Sequence, residues 1–110
     1  MPGYELIGKE EFSEIKDLFD NSKILFRHSF DHLRNGIYKV KEFELAFAKR
    51  MNVPYALAVT SGTAALRVAL ASLDLKEGDE VVTQSFTFVA TVEAIIEARA
   101  IPVITEIDKT

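Results

Sequence analysis

The feature that most constrains the fold is an apolar run that ends in a turn of small residues and continues as a helix. The run covers residues 55–59, the turn is Ser61-Gly62-Thr63, and apolar residues then recur at helical spacing over residues 66–73. The run has too few polar breaks for a half-exposed strand and is typical of a parallel strand buried on both faces. The pattern therefore predicts a strand, a turn and a helix in direct succession.

The turn has two interpretations. A turn between a strand and a helix leaves the first N–H groups of the helix free, and the positive end of the helix dipole lies beside them. Together they form an anion site whose usual occupant is phosphate. In the second interpretation, Ser61 only caps the helix and Gly62 only lets the turn close. The tripeptide alone is equally compatible with both.

Two further strands favour the anion site. Residues 80–83 and 101–104 predict strands, and apolar residues at helical spacing predict a helix over residues 89–96. The resulting βαβαβ order implies right-handed crossovers and parallel strands, whose ligands bind beyond the carboxyl ends of the strands. The turn at residues 61–63 and the loop at residues 84–88 both follow strands at that edge. A bound phosphate compound is therefore the better interpretation.

The loop contributes two aromatic residues, Phe86 and Phe88. One of them is expected to pack inward, and the other would lie close to the anion site, where it could stack on a flat ligand ring. A phosphate cradle beside an aromatic platform suits a planar, phosphorylated aromatic cofactor. A dinucleotide or a nucleoside triphosphate fits poorly, because the chain has no G-x-G-x-x-G after the first strand and no G-K-[ST].

The composition argues against several classes of protein. The chain has 110 residues and 48% hydrophobic content, which indicate one globular unit, and its net charge of −4 argues against a nucleic-acid partner. No apolar window approaches the ~18 residues of a membrane span, so we expect a cytoplasmic protein that does not bind a membrane. Cysteine is absent, and His28 and His32 have no third ligand cluster, so we expect no metal site.

The first half of the chain predicts two amphipathic helices. Apolar residues recur at helical spacing over residues 12–19 and 40–51, and in the second helix Glu42 and Glu44 are expected to face water. Asn52 is expected to close that helix in a left-handed conformation. We therefore divide the chain into an N-terminal helical segment, residues 1–52, and an α/β part, residues 53–110.

Five motifs occur in the order seen in one protein family. They are V-K-E-F-E at residues 40–44, the apolar run, S-G-T-A-A-L at 61–66, G-D-E-V at 78–81 and S-F-T-F-V-A-T at 85–91. From about Ile24 to its end, the chain resembles the N-terminal part of the DegT/DnrJ/EryC1/StrS family, the pyridoxal phosphate-dependent sugar aminotransferases.

The resemblance implies a fold, a reaction and an assembly. The fold is α/β, and residues 53–110 begin the cofactor-binding large domain of the aspartate-aminotransferase fold, PLP fold type I. The reaction exchanges an amino group between glutamate or glutamine and a keto group on a nucleotide-linked sugar. Members of the family are homodimers.

The resemblance also assigns cofactor-binding residues. Thr63 and Ala64 match the turn that contacts the phosphate of pyridoxal 5′-phosphate, through backbone N–H groups and the threonine hydroxyl, and Gly62 shapes that turn. Phe88 matches the aromatic residue that stacks on the pyridine ring, which leaves Phe86 as the expected core residue.

The covalent chemistry of the family is expected outside this chain. The resemblance places the lysine that binds the cofactor covalently, and the aspartate that keeps the pyridine nitrogen protonated, downstream of Thr110. We therefore expect a fragment that is inactive by itself. Two alternatives stay open. One is a non-catalytic phosphate- or partner-binding remnant, and the other is a fragment of a sugar dehydratase, since some members carry histidine at the lysine position.

Four positions depart from the family pattern. Where relatives commonly have glycine, this chain carries Ser29, Asn52, Asp74 and Arg99. Asp74 and Arg99 follow predicted helices, at positions where a left-handed residue usually ends the helix. Arginine gains nothing local from that conformation, so a positive φ at Arg99 would be strained. The alternative is that these loops adopt other caps.

Overall fold

The computed structural model describes residues 3–108. The chain forms two compact units, Met1–Ala58 and Val59–Thr110. The first contains α1 (Lys9–Asn21) and α2 (Lys39–Met51), with short 3-10 helices at Tyr4–Leu6 and Asp31–Leu33. The second contains α3 (Gly62–Ala71), β1 (Glu80–Gln84), α4 (Val89–Glu97) and β2 (Ile101–Thr105).

Both predicted N-terminal helices form, with ends that local chemistry explains. At the start of α1, the N–H of Gly8 donates to the Glu11 carboxylate at 2.7 Å, and this hydrogen bond lowers the pKa of Glu11. At the end of α2, Asn52 has a φ of 53°, as predicted, and the N–H of Val53 donates to the carbonyl of Ala48 at 3.0 Å. This is the bond pattern of a helix closed by a left-handed residue.

A buried arginine organises the loop between α1 and α2. The guanidinium of Arg34 donates to the carbonyl oxygens of Phe26, Ser29 and His28, and it lies 4.9 Å from the centre of the Tyr38 ring. Ser29 has a φ of 70°, so its carbonyl is presented to Arg34 by a left-handed backbone. The charge of Arg34 is thus satisfied by backbone oxygens, as a buried cation requires.

The second unit confirms the α/β class and two of the predicted strands. β1 and β2 pair in parallel, with Val82 opposite Val103. The helix α4 connects them and packs on both, with Ala94 and Ile95 buried, and α3 packs on α4. An ion pair between Arg67 and Glu97 joins the two helices.

The first predicted strand does not form, so the prediction of a strand buried on both faces at residues 55–59 is wrong for this structure. In the described residues β1 and β2 pair only with each other, and residues 55–59 form no strand. Tyr55 is 88% exposed and Leu57 is 56% exposed, whereas Ala56 and Ala58 are half-buried. A strand requires backbone hydrogen bonds to an adjacent strand. An apolar run that lacks them is not a strand, whatever its composition.

Both units leave apolar surface uncovered. The accessible surface is 9453 Å² for a mass of 12.3 kDa. Two separate compact bodies of half this mass would expose about 7,300 Å² together, so the chain exposes about 2,100 Å² more, whatever the placement of its units. Each long helix and each strand carries an exposed large apolar side chain, among them Phe12, Phe43, Val68, Val82, Ile96 and Ile104.

Candidate functional site

The turn before α3 has the geometry of a capped helix start. Ser61 is extended, with φ −164° and ψ 165°, and its hydroxyl accepts a hydrogen bond from the N–H of Ala64 at 3.1 Å. The N–H of Ala65 donates to the carbonyl of Ser61 at 3.0 Å, so the helix begins at Gly62. The capping role of Ser61 is therefore confirmed.

Two donors remain beyond the cap. In the part of the chain that the structure describes, neither the N–H of Gly62 nor the N–H of Thr63 enters a hydrogen bond, and the Thr63 hydroxyl has no partner either. Thr63 is half-buried and Gly62 is exposed. These donors lie at the positive end of the α3 dipole, where an anion is stabilised. Capping by Ser61 and anion binding are thus compatible.

Ala64 differs from Thr63 in one respect. Its N–H is already engaged by the Ser61 hydroxyl, so an anion would have to share or displace that contact. A serine hydroxyl rotates freely and can also donate, so Ser61 can turn its own proton toward an anion.

The space where a side chain of residue 62 would lie is empty. A Cβ atom added there would meet no atom within 4 Å among the other residues, and Gly62 has no positive φ. The backbone therefore does not need glycine at this position, and the missing side chain leaves the N–H groups accessible to a ligand.

The aromatic loop is held at both ends. At its start, the N–H of Ser85 donates to the carbonyl of Thr105 at 2.9 Å, which continues the pairing of β1 with β2. Near its end, the hydroxyls of Thr87 and Thr91 are 2.9 Å apart, which ties the loop to the first turn of α4. Phe88 is the residue immediately before that helix.

Neither aromatic ring of the loop packs inward. Phe86 is 80% exposed and Phe88 is 76% exposed, so the expectations that one ring packs inward and that Phe86 is a core residue are both wrong for this structure. The loop extends past the end of β1, and no described helix or strand covers it. Phe88 keeps the exposed ring face that stacking on a ligand requires.

The turn and the loop are placed by neighbouring helices. The turn begins α3, the loop leads into α4, and the two helices pack against each other. In residues 3–108, no hydrogen bond, ion pair or ring contact joins Thr63 to Phe88. Each half of the candidate site is therefore held by its own helix.

Glu44 has a role that its sequence pattern did not predict. It was expected to face water, yet its side chain is only 13% exposed. Its carboxylate accepts hydrogen bonds from the Arg27 guanidinium and, at 2.8 Å, from the N–H of Ala58. Both hydrogen bonds lower the pKa of Glu44, and the one from the Ala58 N–H has the larger effect. The sequence carries no signal for this contact, because the Ala58 N–H lies 14 residues away from Glu44.

Residues 3–108 contain neither a metal-binding cluster nor a helix that could span a membrane. In this part of the chain, no group of three or more histidine, cysteine, aspartate or glutamate residues could hold a metal ion, and His28 and His32 are not part of one. No helix there has the length and apolar character needed to cross a membrane.

Comparison with known proteins identifies the family. A sequence model described as the DegT/DnrJ/EryC1/StrS aminotransferase family matches residues 20–110. The chain belongs to this family. The resemblance inferred from the motifs is thereby confirmed.

Two relatives illustrate the match. Over 64 residues the chain is 53% identical to a protein of Bacillus subtilis (strain 168) named as the pyridoxal phosphate-dependent aminotransferase EpsN, covering 58% of this chain and 16% of the relative. Over 69 residues it is 41% identical to the GDP-perosamine synthase of Vibrio cholerae, covering 63% of this chain and 19% of the relative. The chain thus spans less than a fifth of these relatives.

Solved structures confirm the fold. The E. coli GDP-4-keto-6-deoxy-D-mannose-3-dehydratase with bound hydrated PLP aligns with a TM-score of 0.78 at 25% identity, over 93% of this chain and 25% of that one. An aminotransferase from Psychrobacter cryohalolentis aligns with a TM-score of 0.74 at 29% identity, over 93% of this chain and 24% of that one. The α/β architecture is that of PLP fold type I sugar aminotransferases, and the predicted cofactor is the one these relatives use.

Proposed function

We propose that the chain is the N-terminal, cofactor-binding portion of a pyridoxal phosphate-dependent aminotransferase. In this proposal the enzyme acts on a keto group of a nucleotide-linked sugar, with glutamate or glutamine as the amino donor. The observation that carries the proposal is the pair of free N–H groups on Gly62 and Thr63 at the start of α3, within the S-G-T motif of the family.

The turn would hold the phosphate group of the cofactor. The N–H groups of Gly62 and Thr63 and the Thr63 hydroxyl would donate to phosphate oxygens, and the dipole of α3 would favour the negative charge. The N–H of Ala64 would join them when the Ser61 hydroxyl moves aside. The residues present fit this group, because these donors are accessible and most of them have no partner in the described structure.

Phe88 would support the ring of the cofactor. Its exposed side chain can cover one face of a pyridine ring and exclude water from it. The contact between Thr87 and Thr91 limits the motion of the backbone that carries Phe88. When bound, pyridoxal phosphate supplies an electron sink for chemistry at the amino-bearing carbon.

The domain division is part of the proposal. Residues 53–110 would begin the large domain and residues 1–52 would precede it as a helical segment. In this proposal the enzyme is a cytoplasmic homodimer. The uncovered apolar surface supports packing against further parts of such an enzyme or against a second subunit. The chain alone would be inactive, because none of its lysines lies in a motif that matches the family's catalytic lysine.

A sugar dehydratase is the second candidate reaction. The observation that favours it is the TM-score of 0.78 to a structure named as a GDP-4-keto-6-deoxy-D-mannose-3-dehydratase. In that case the phosphate turn and the aromatic platform would have the same roles, and only the step that follows cofactor binding would differ.

A titration with pyridoxal 5′-phosphate tests the proposed function. Thr63→Ala removes the hydroxyl donor and should weaken binding about tenfold or somewhat more, the lower end of the range for one hydrogen bond to a charged group. Thr60→Ala is the matched control, because Thr60 is exposed in the same turn and makes no hydrogen bond in the described structure. Equal affinities for Thr63→Ala and the unchanged protein would refute the assignment.

A further inference from the structure

The helix that carries the phosphate turn is weakly anchored. None of the residues of α3 is buried, and among the helices and strands of the described residues its backbone lies closest to α4. Between α3, β1 and α4 lies a cavity of about 180 Å³, lined mostly by apolar side chains such as Leu66, Leu70 and Ile95. A void between two elements removes the dispersion contacts that would hold them in one arrangement. Apolar packing therefore does little to fix the tilt of α3.

One ion pair joins α3 to α4. The Nη2 atom of Arg67 donates to Oε1 of Glu97 at 2.5 Å, and the Nε atom of Arg67 pairs with Oε2. In residues 3–108 no other hydrogen bond or ion pair connects the two helices. A guanidinium that engages both oxygens of one carboxylate fixes the direction of the contact as well as its length. The pair is therefore the contact that restricts how α3 lies against α4.

Small side chains surround the ion pair. A second cavity of about 190 Å³ is lined by Arg67 and Glu97 together with Ala71, Ala94 and Ala98. Alanine side chains form shallow ridges, which interlock two helices less than large side chains do. Both charged side chains are half exposed, at 50% and 49%, so the pair contributes little to stability. Its effect is therefore expected on the arrangement of the two helices rather than on their melting.

We propose that Arg67 and Glu97 are positioning residues that set the phosphate turn against the aromatic loop. The turn begins α3 and Phe88 precedes α4, so the tilt between the helices sets the separation of the two halves of the site. With a rise of about 1.5 Å per residue, Arg67 lies about 8 Å along α3 from Gly62. A change of tilt at the ion pair therefore moves the free N–H groups of the turn. This inference rests on the proposed function for the identity of the ligand, and not for the arrangement of the helices.

Electron paramagnetic resonance tests the arrangement without any ligand. The chain has no cysteine, so Val68→Cys on α3 and Ile96→Cys on α4, both at exposed positions, accept one spin label each. Glu97→Ala should broaden the distribution of distances between the labels, because it removes the ion pair. The charge-swapped protein, with Arg67→Glu and Glu97→Arg together, should restore a narrow distribution.

Glu93→Ala is the matched control on α4 and should leave the distances unchanged, since Glu93 is exposed and makes no hydrogen bond or ion pair in residues 3–108. An unchanged distribution in Glu97→Ala, or a broad one in the charge-swapped protein, would overturn the inference. If Glu97→Ala fails to fold, salt replaces it, because the Debye length falls to about 3 Å at about 1 M salt. The distribution of the unchanged protein should then broaden, and a distribution that stays narrow would overturn the inference.

Two ligands separate a positioning role from damage to the turn itself. Pyridoxamine 5′-phosphate would engage both the turn and Phe88, whereas inorganic phosphate would engage only the turn. The affinity for pyridoxamine 5′-phosphate should fall about threefold to fivefold in Glu97→Ala and recover in the charge-swapped protein, while the affinity for inorganic phosphate stays unchanged. An equal fall for both ligands, or a fall for neither, would overturn the positioning role. Absence of binding in the unchanged protein, together with the expected label distances, would refute the proposed function and leave the arrangement of the helices intact.

Discussion

Replacing Arg99 by glycine should stabilise the second unit. Arg99 has a φ of 61° and follows Ala98, the residue that caps the end of α4. Its N–H donates to the carbonyl of Ile96 at 2.9 Å, and the N–H of Ala100 donates to the carbonyl of Ile95 at 3.2 Å. These two bonds define a Schellman motif, whose left-handed position is normally glycine. Of the two alternatives for Arg99, a positive φ or another cap, the structure shows the positive φ.

The expected change in the free energy of unfolding is the difference between the backbone strain that is relieved and the entropy that glycine gains in the unfolded chain. A side chain other than glycine in the left-handed region costs about 1–2 kcal/mol. Glycine gains more conformational entropy on unfolding, which removes about 0.5–1 kcal/mol of that benefit. The Arg99 side chain makes no hydrogen bond or ion pair in the described structure, so its removal loses no contact of that kind. The expected net gain is about 0.5–1 kcal/mol, or roughly 2–8 °C in Tm for a domain of this size.

Thermal unfolding followed by circular dichroism measures this gain. Arg99→Ala is the control, because it removes the same side chain but keeps the Cβ atom that causes the strain. It should melt within about 1 °C of the unchanged protein. A lower Tm for Arg99→Gly, or an equal gain for Arg99→Ala, would refute the strain argument.

Three further outcomes are expected. Glu11, Asp17 and Glu44 have pKa values lowered from 4.5, 3.8 and 4.5, mainly by hydrogen bonds from the Gly8 N–H, the Asn21 amide and the Ala58 N–H. A lowered folded pKa stabilises the fold above the unfolded pKa, and that stability is lost as pH falls through the folded pKa. Helical signal in an acid titration should therefore decline below about pH 4, and a signal unchanged down to about pH 2 would contradict this. Because of its uncovered apolar surface, the chain should self-associate or be only marginally folded, whereas a sharp monomer peak in size-exclusion chromatography with cooperative unfolding would argue against it. Treatment with pyridoxal 5′-phosphate and borohydride should leave no stoichiometric adduct at a single lysine, and one such adduct would show that the chain holds the catalytic lysine.

The elements that the sequence predicted correctly depend on local patterns. The helices α1, α2 and α4 follow from apolar spacing of about 3.6 residues, and their ends follow from residues such as Asn52 and Arg99. β1 and β2 were predicted from short apolar runs. Both form because each hydrogen-bonds to the other as a parallel pair. In these cases the information lies within a few residues of the element itself.

The incorrect predictions concern features that depend on contacts between residues distant in sequence. Residues 55–59 have the composition of a strand, but a strand requires a partner that the described residues do not provide. Phe86 was expected in the core, although burial requires a layer over the loop and none is present. Glu44 contacts a backbone N–H 14 residues away, which helical periodicity cannot reveal. Only tertiary structure decides these three features.

Binding of the cofactor at the turn before α3 can be measured most directly by hydrogen–deuterium exchange. Pyridoxamine 5′-phosphate is the suitable ligand, because it carries the ring and phosphate without the aldehyde that reacts with surface lysines. It should protect the peptides covering residues 61–66 and 85–89, whereas inorganic phosphate should protect only the first. Protection confined to other peptides, or none at saturating ligand, would contradict the proposed phosphate turn and aromatic platform.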